Sequence, residues 1–374
     1  MSKLKLMTIL GTRPEIIRLS ATIKACDKYF DHILVHTGQN YAYELNEIFF
    51  KDLDLRSPDY YLDAVGKNLG DTMGNIIAKS YELIQKLKPD AVLILGDTNS
   101  ALSAISAKRL KCPIFHMEAG NRCWDWNVSE MINRKIVDHI SDINLPYTEH
   151  SRRYLLSEGI DGKTIFVTGS PMKEVISEHL PKIQSSKILL ELNLEKGKYI
   201  VVSSHREENI DILSNFHKIT ESINAVAEKY QVPVIFSTHP RTLKAITDQH
   251  LKFHPLIQNI KPLGFTDYLM LQKNALVVLS DSGTLTEEAA MLDFPAVLLR
   301  TSTERPEGLE NGRVVIGGIK IDDVLQAVEL AIALNHDSTV ELPRAYLEKN
   351  VSKKVVKIIQ SYVQIVNKTT WEKN

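Results

Sequence analysis

Short apolar runs recur along the chain, each followed by a longer stretch whose apolar positions repeat at helical spacing. The runs are Leu6–Leu10, Ile33–Val35, Ala91–Leu95, Ile114–Phe115, Ile143–Leu145 and Ile165–Val167, then Tyr199–Ser203, Val234–Ser237, Leu276–Leu279 and Ala296–Leu299. Nearly continuous apolar strands alternating with helices predict parallel sheets covered on both faces. The two series predict two Rossmann-like halves, with Gly169-Ser170-Pro171 as the crossover. From Leu342 to about Val366 the chain reads as helix, with apolar positions at Leu347, Val351, Val355, Ile358, Ile359 and Val363. This spacing leaves open whether the helix caps the second half or returns to the first. The tail Asn367–Asn374 is expected to fray.

Polar clusters follow the predicted strands. Gly11-Thr12-Arg13-Pro14-Glu15, Thr37-Gly38-Gln39, Gly96-Asp97-Thr98-Asn99-Ser100 and His116-Met117-Glu118-Ala119-Gly120 do so in the first half. Ser204–Asn209, Thr238-His239-Pro240-Arg241 and Ser280-Asp281-Ser282-Gly283-Thr284 do so in the second. Ligands of open α/β sheets sit beyond the carboxyl ends of the strands, so a cleft between two such halves would collect these clusters.

Composition narrows the class. A chain of 374 residues with 44% hydrophobic and 24% charged residues is of ordinary globular make-up and long enough for two domains. A formal net charge of -1 argues against a general nucleic-acid binder, while leaving room for a small anionic ligand. Cys26, Cys112 and Cys123 are too scattered for a disulfide framework or a zinc site. The opening MSKLKLMTIL lacks a small-residue cleavage site, and no run reaches the roughly 18 apolar residues of a membrane span. A cytoplasmic protein with no membrane partner is the expectation.

The clusters suggest chemistry. The turn Ser280–Thr284 stands directly before a good helix start at Leu285, an arrangement that suits either a diphosphate or an ordinary N-cap. Arg13 and Arg18 near a helix start would suit phosphate, although isolated arginines are more often surface pairs. Asp97 and Glu118 end consecutive strands and Glu130 opens a helix; gathered in a partly desolvated place, such carboxylates can work as acid or base. His205 is a titrating group at a strand end in the other half. There is no G-x-G-x-x-G or Walker sequence, no H-E-x-x-H spacing and no G-x-S-x-G elbow. No bound cofactor and no metal are expected.

Taken in order, these segments resemble the non-hydrolysing UDP-N-acetylglucosamine 2-epimerase family. The likeness runs through GTRPE (11–15), Thr37-Gly38-Gln39, Gly96-Asp97-Thr98, Glu118-Ala119-Gly120, Glu130 with Asn133-Arg134-Lys135, and His205-Arg206. It continues through Asp281-Ser282-Gly283, Glu287-Glu288-Ala289 and TERPE (303–307). The resemblance implies a glycosyltransferase-B-like fold, two Rossmann-like domains with parallel sheets facing a central cleft. It places the first domain at 1–170, joined by a returning helix at 352–374, and the UDP-binding domain at 171–351. It implies a homodimer acting on a UDP-sugar.

By position, the family's catalytic carboxylates fall on Asp97, Glu118 and Glu130, and its leaving-group contacts on His205 and Arg13. Phosphate-binding backbone falls on Ser282 and Gly283, with Thr284 in the same turn. The ribose carboxylate falls on Glu288, an aromatic beside the uracil on Tyr268, and further substrate contacts on Arg18 and Arg305. The chain departs from the family at Arg18 (usually lysine), at Ser129-Glu130-Met131 (usually Pro-Glu-Glu), at Asn40 (usually histidine) and at Glu207 (usually arginine). Several of these lie where some bacterial members bind a second, activating UDP-sugar.

A narrower likeness lies in Thr37–Phe50, Gly96–Ser100, Glu118–Cys123 and Ile132–His139, which resemble capsule and O-antigen enzymes making UDP-N-acetyl-L-fucosamine. Their substrate would be UDP-2-acetamido-2,6-dideoxy-L-talose, rather than the UDP-N-acetylglucosamine that gives UDP-N-acetylmannosamine. A UDP-sugar glycosyltransferase is the rival of another class, because it would share the fold and the diphosphate site.

Overall fold

A computed structural model describes residues 3–38, 47–335 and 341–373. The chain divides into two compact units, one of Met1–Ser177 with Leu347–Asn374, the other of Glu178–Tyr346.

The first unit alternates strand and helix: β1 (Lys5–Leu10), α1 (Arg13–Tyr29), β2 (Asp31–His36), α2 (Glu47–Asp52), β3 (Tyr60–Tyr61), α3 (Leu69–Leu87), β4 (Ala91–Leu95), α4 (Ser103–Arg109), β5 (Ile114–Met117), α5 (Glu130–Ile140), β6 (Ile143–Leu145) and α6 (Glu149–Ser157). Helix α7 (Met172–Gln184) carries the boundary at Ser177. The second unit continues with α8 (Ile188–Glu191), β7 (Ile200–Ser203), α9 (Glu207–Ile210), α10 (Leu213–Tyr230), β8 (Val234–Ser237), α11 (Pro240–Asp248), β9 (Ile257–Ile260), α12 (Phe265–Lys273) and β10 (Val277–Ser280). It ends with α13 (Leu285–Leu292), β11 (Ala296–Leu298), α14 (Glu307–Glu310), β12 (Val314–Ile316) and α15 (Ile321–Asn335). The last helix, α16 (Val351–Trp371), belongs to the first unit.

Among the described residues each unit holds one six-stranded sheet, ordered β3-β2-β1-β4-β5-β6 in the first and β12-β11-β10-β7-β8-β9 in the second. Every pairing is parallel. Counted within its own unit, each sheet has the doubly wound order 3-2-1-4-5-6, whose direction reverses beside the first strand. The α/β, glycosyltransferase-B-like class expected from the chain is what these sheets form.

Burial on both faces explains the lack of alternation in the strands. Met7, Ile9, Val92 and Ile94 pack with Ile76 and Ile84 of α3 and with Ala104 and Ala107 of α4. In the second unit Val202, Phe236 and Leu279 pack with Ile219, Ile223 and Val226 of α10 and Val324 and Val328 of α15. In α16, Val355, Ile359 and Val363 recur at every fourth position and are fully buried. That face lies against α1, and Ser352 at its start donates to Glu174 of α7.

Three local expectations change. The stretch from Leu342 is not helical throughout, since Arg344–Tyr346 is a single 3-10 turn and the helix begins at Val351. Ile165–Val167 forms a single bridge, Ile165 with Asn144, and no strand. The segment stays beside β6 because Phe166 and Thr168 donate to the carbonyls of Asn144 and Pro146, at 2.9 and 3.0 Å. The tail is helical as far as Trp371, not frayed from Asn367; Lys373 Nζ also donates to the Lys111 carbonyl at 2.6 Å. No described helix is long and apolar enough to cross a membrane.

Candidate active site

In the first unit the reversal of strand order lies between β1 and β4; Arg13 opens the helix that follows β1, and Asp97 lies in the turn after β4. Gly11 permits the close approach that this packing needs. A Cβ there would lie 1.9 Å from Thr37 Oγ1 and 2.4 Å from Ser100 Oγ. Pro14 lies in the first turn of α1, where a missing N–H costs nothing. Arg13 lies over the Phe49 ring, 5.7 Å from its centroid.

Glu15, one residue further, is buried. Its Oε2 accepts from Gly11 N at 3.1 Å and Thr12 Oγ1 at 2.8 Å. Burial pushes its carboxyl up to about 7 against the pull of those hydrogen bonds.

Asp97 and Glu118 follow adjacent strands, β4 and β5, and each meets an arginine. Arg134 Nε donates to Asp97 Oδ2 at 2.5 Å, and Asn133 Nδ2 donates to the Asp97 carbonyl at 2.9 Å. Arg18 NH1 donates to Glu118 Oε2, and both side chains are buried. Arg18, expected to face phosphate, is thus turned toward a carboxylate of its own unit. Asn121 Nδ2 donates to Glu118 Oε1 at 3.2 Å.

Glu118 holds a left-handed backbone, φ 62°. Such a conformation costs a non-glycine residue free energy that the surrounding contacts must offset. Glu130 is half-buried at the N-terminus of α5, where a carboxylate is favoured by the helix dipole, and it accepts from Ser129 Oγ at 3.2 Å.

Beneath these groups lies a buried charge network. Asp138 accepts from Gly120 N at 3.1 Å, pairs with Arg122 NH1 at 2.7 Å and stands 3.0 Å from His116 Nδ1. Burial alone would raise the Asp138 carboxyl, but His116 and Arg122 beside it hold it below the usual carboxylate range. Arg122 forks onto Glu158, with Nε and NH2 donating at 2.9 and 2.8 Å.

In the second unit the reversal lies between β7 and β10, and there His205 meets Asp281. Fully buried Asp281 accepts from Ser204 Oγ at 2.8 Å, the N–H groups of His205 and Arg206 at 3.0 Å, and Asn209 Nδ2 at 3.0 Å. His205 Nδ1 is 3.4 Å away. Burial by itself raises this carboxyl; His205 and the donors outweigh it and hold the group low.

The turn Ser282-Gly283-Thr284 then leads into α13, with Ser282 Oγ and Thr284 Oγ1 2.9 Å apart. A Cβ on Gly283 would meet Glu304 Oε1 at 2.5 Å, and Glu304 is itself held by Arg300 at 2.7 Å and Arg206 at 3.4 Å. Glu288, buried in the first turn of α13, accepts from Gln272 Nε2 at 3.0 Å. Tyr268 stands four residues before Gln272 on α12, half-buried on the same helix face. Arg305 is buried and turned to Glu287 at 3.2 Å.

Each sequence-derived residue therefore stands at the carboxyl end of its own unit's sheet or on the helix that follows. Gln39 and Asn40 lie outside the described residues. Sequence reasoning weighed His116 only as a metal ligand and did not single out Glu15, Arg134, Asp138 or Asp281 as site residues. A signal existed for two of them, because Glu130, Arg134 and Asp138 recur at every fourth position, a polar stripe along one face of α5. Among the described residues no three His, Cys, Asp or Glu gather as metal ligands do.

A family model described as UDP-N-acetylglucosamine 2-epimerase matches residues 24–360. The chain is similar to the UDP-N-acetylglucosamine 2-epimerase structure from Rickettsia bellii, with 47% identity, TM-score 0.91 and coverage of 99% of this chain and 100% of that one. It is similar to the Methanocaldococcus jannaschii UDP-GlcNAc 2-epimerase solved with UDP-GlcNAc and UDP, with 35% identity, TM-score 0.90 and coverage of 96% and 99%. The UDP-2,3-diacetamido-2,3-dideoxy-D-glucuronate 2-epimerase of Pseudomonas aeruginosa is 33% identical over 334 residues, 88% of this chain and 92% of that protein.

Proposed function

The chain belongs to the UDP-N-acetylglucosamine 2-epimerase family of isomerases, and from that premise we propose that it inverts carbon 2 of a UDP-linked N-acetylamino sugar by eliminating UDP and adding it back. The hydrogen on carbon 2 has no adjacent carbonyl, so its removal alone would leave an unstabilised carbanion. In elimination a carboxylate takes that proton, the C–H electron pair becomes the C1=C2 double bond, and the C1–O pair leaves with UDP. The product is a 2-acetamidoglycal. Re-addition of UDP at carbon 1, with a proton delivered to the other face of carbon 2, gives the epimer.

Acid–base groups for both faces and a cationic or dipolar stabiliser for the leaving diphosphate are what this route needs. Asp97, Glu118 and Glu130 supply the first. His205, Arg13 and the Ser282-Gly283-Thr284 turn supply the second, Glu288 holds the ribose and Tyr268 flanks the uracil. The observation that carries this reading is the pair of arginine-held carboxylates, Asp97 with Arg134 and Glu118 with Arg18, at the ends of adjacent strands.

For the substrate we propose UDP-2-acetamido-2,6-dideoxy-L-talose, converted to UDP-N-acetyl-L-fucosamine. Support comes from the segment following Glu118, where Trp124 is 58% and Trp126 65% exposed, offering apolar surface suited to a methyl at carbon 6. UDP-N-acetylglucosamine is the second reading, favoured by the names of the relatives and by the bound UDP-GlcNAc of the Methanocaldococcus protein. We also propose a homodimer, as the family resemblance implies, acting in the cytoplasm to supply capsule or O-antigen synthesis.

The test is incubation with each nucleotide sugar in deuterated water, followed by NMR. Deuterium at carbon 2 of the product is expected, with higher kcat/KM for the 6-deoxy-L-talo compound by roughly ten- to two-hundred-fold. Unlabelled product would remove the elimination route. Equal or better use of UDP-N-acetylglucosamine would remove the narrower substrate.

A further inference from the structure

The buried network under the first unit's carboxylates has a geometry that packing alone does not require. Strands β4 and β5 each end in a turn bearing a proposed acid–base group, Asp97 after Gly96 and Glu118 after Met117. One carboxylate on α5, that of Asp138, reaches both turns. On the β4 side, His116 stands between them: Nδ1 is 3.0 Å from Asp138 Oδ1 and Nε2 is 2.8 Å from the Gly96 carbonyl. The ring thus stands between the Asp138 carboxylate and the carbonyl that precedes Asp97. On the β5 side, Asp138 accepts from Gly120 N, two residues after Glu118, at 3.1 Å. It also meets Arg122 NH1 at 2.7 Å.

We propose that Asp138 is a positioning residue that sets the separation and aim of Asp97 and Glu118, acting through His116 on one turn and through Gly120 and Arg122 on the other. This rests on the assignment of those two carboxylates to the reaction.

Three features support it. The Asp138 carboxylate faces the Arg122 guanidinium at 2.7 Å and the Gly120 N–H at 3.1 Å, so an amide in its place would leave this buried arginine with one counter-charge fewer. Glu118 sits at φ 62°, a backbone conformation that persists only where its surroundings hold it; the bond to Gly120 N and the packing of Gly120 on Ser151 supply that hold. A Cβ on Gly120 would meet the Ser151 carbonyl at 2.5 Å, so the turn has no room to shift toward α6. Finally, α5 also carries Glu130, Asn133 and Arg134, and the latter two hold Asp97 directly. One helix thereby references all three carboxylates to a common frame. Small misplacements at a reacting centre cost large factors in rate while leaving ground-state binding alone.

The experiment compares Asp138→Asn and His116→Gln with Asp97→Asn and Glu118→Gln, measuring kcat, KM, UDP affinity and thermal unfolding. The positioning variants are expected to keep UDP affinity and KM within about threefold while kcat falls roughly thirty-fold or more for Asp138→Asn and at least fivefold for His116→Gln. If Asp138→Asn does not fold, His116→Gln decides, because it keeps a donor for the Gly96 carbonyl and breaks only the link to Asp138. Unchanged kcat in the folded positioning variants, beside inactive Asp97→Asn and Glu118→Gln, overturns the proposal. Full activity in Asp97→Asn and Glu118→Gln would instead remove the reading on which it rests.

Discussion

Arg134 donates Nε–H to Asp97 Oδ2 at 2.5 Å from a position four residues beyond Glu130 on the same helix. One turn of α5 thus joins a proposed acid–base residue to the clamp of another. The side-on Nε donor is specific to a guanidinium; a lysine ammonium would place its charge on a flexible stem with no fixed direction. Arg134→Lys should therefore keep part of the turnover, and Arg134→Gln should lower kcat by about ten- to a hundred-fold with UDP affinity intact. Steady-state kinetics with a separate UDP titration checks this, and wild-type kcat in Arg134→Gln would detach Asp97 from its clamp.

The carboxylates themselves are expected to be more sensitive. Asp97→Asn, Glu118→Gln and Glu130→Gln should each cut turnover by a factor on the order of a hundred or more, because acid–base function is removed with the shape retained. His205→Asn should also slow turnover by weakening support for departing UDP. Near wild-type activity in all four variants would mean that the site lies elsewhere.

Glu15 makes stability depend on pH in an unusual direction for a carboxylate. Its pKa rises on folding from 4.5 to about 7 through burial, against the pull of hydrogen bonds from Thr12, Gly11 and Thr98. The protonated form is favoured in the folded state, so the contribution is complete below about 4.5 and is lost as pH rises toward 7. Glu15→Gln cannot ionise. Its stability relative to the parent should therefore climb between pH 4.5 and 7, by an amount on the order of 2 kcal/mol. Chemical denaturation at several pH values measures the difference; a flat difference would show that Glu15 titrates normally.

Gly283 lies where the diphosphate is proposed to bind. An added methyl would meet Glu304 Oε1 at 2.5 Å, and Glu304 cannot swing away without breaking its pairs with Arg300 and Arg206. Gly283→Ala is expected to weaken UDP binding by about tenfold or more, equivalent to roughly 1.4 kcal/mol. Calorimetric titration with UDP reads this directly; unchanged affinity would place the diphosphate away from this turn.

Much of the architecture was legible along the chain because it rests on local periodicity. Apolar runs such as Ala91–Leu95 and Val234–Ser237 became fully buried parallel strands. The polar clusters came out at strand ends for the same reason: a turn after a buried strand must carry the groups that meet solvent or ligand. Short edge strands were less legible. Tyr60–Tyr61 is exposed and only two residues long, so it has no periodic pattern to detect.

What the sequence determined by itself is the inventory: which residue types stand at which strand ends, and that two α/β units carry them. Tertiary structure alone decided who meets whom. Arg18 and Glu118 are 100 residues apart and pair because β1 and β5 flank β4 in the sheet. Asp138 reaches His116 and Gly120 because α5 packs beneath the turns after β4 and β5. Strand order and helix docking are set by the summed burial of many apolar side chains, a non-local quantity. A charged group's partner is therefore settled only when the core has brought the elements together and desolvated the space between them.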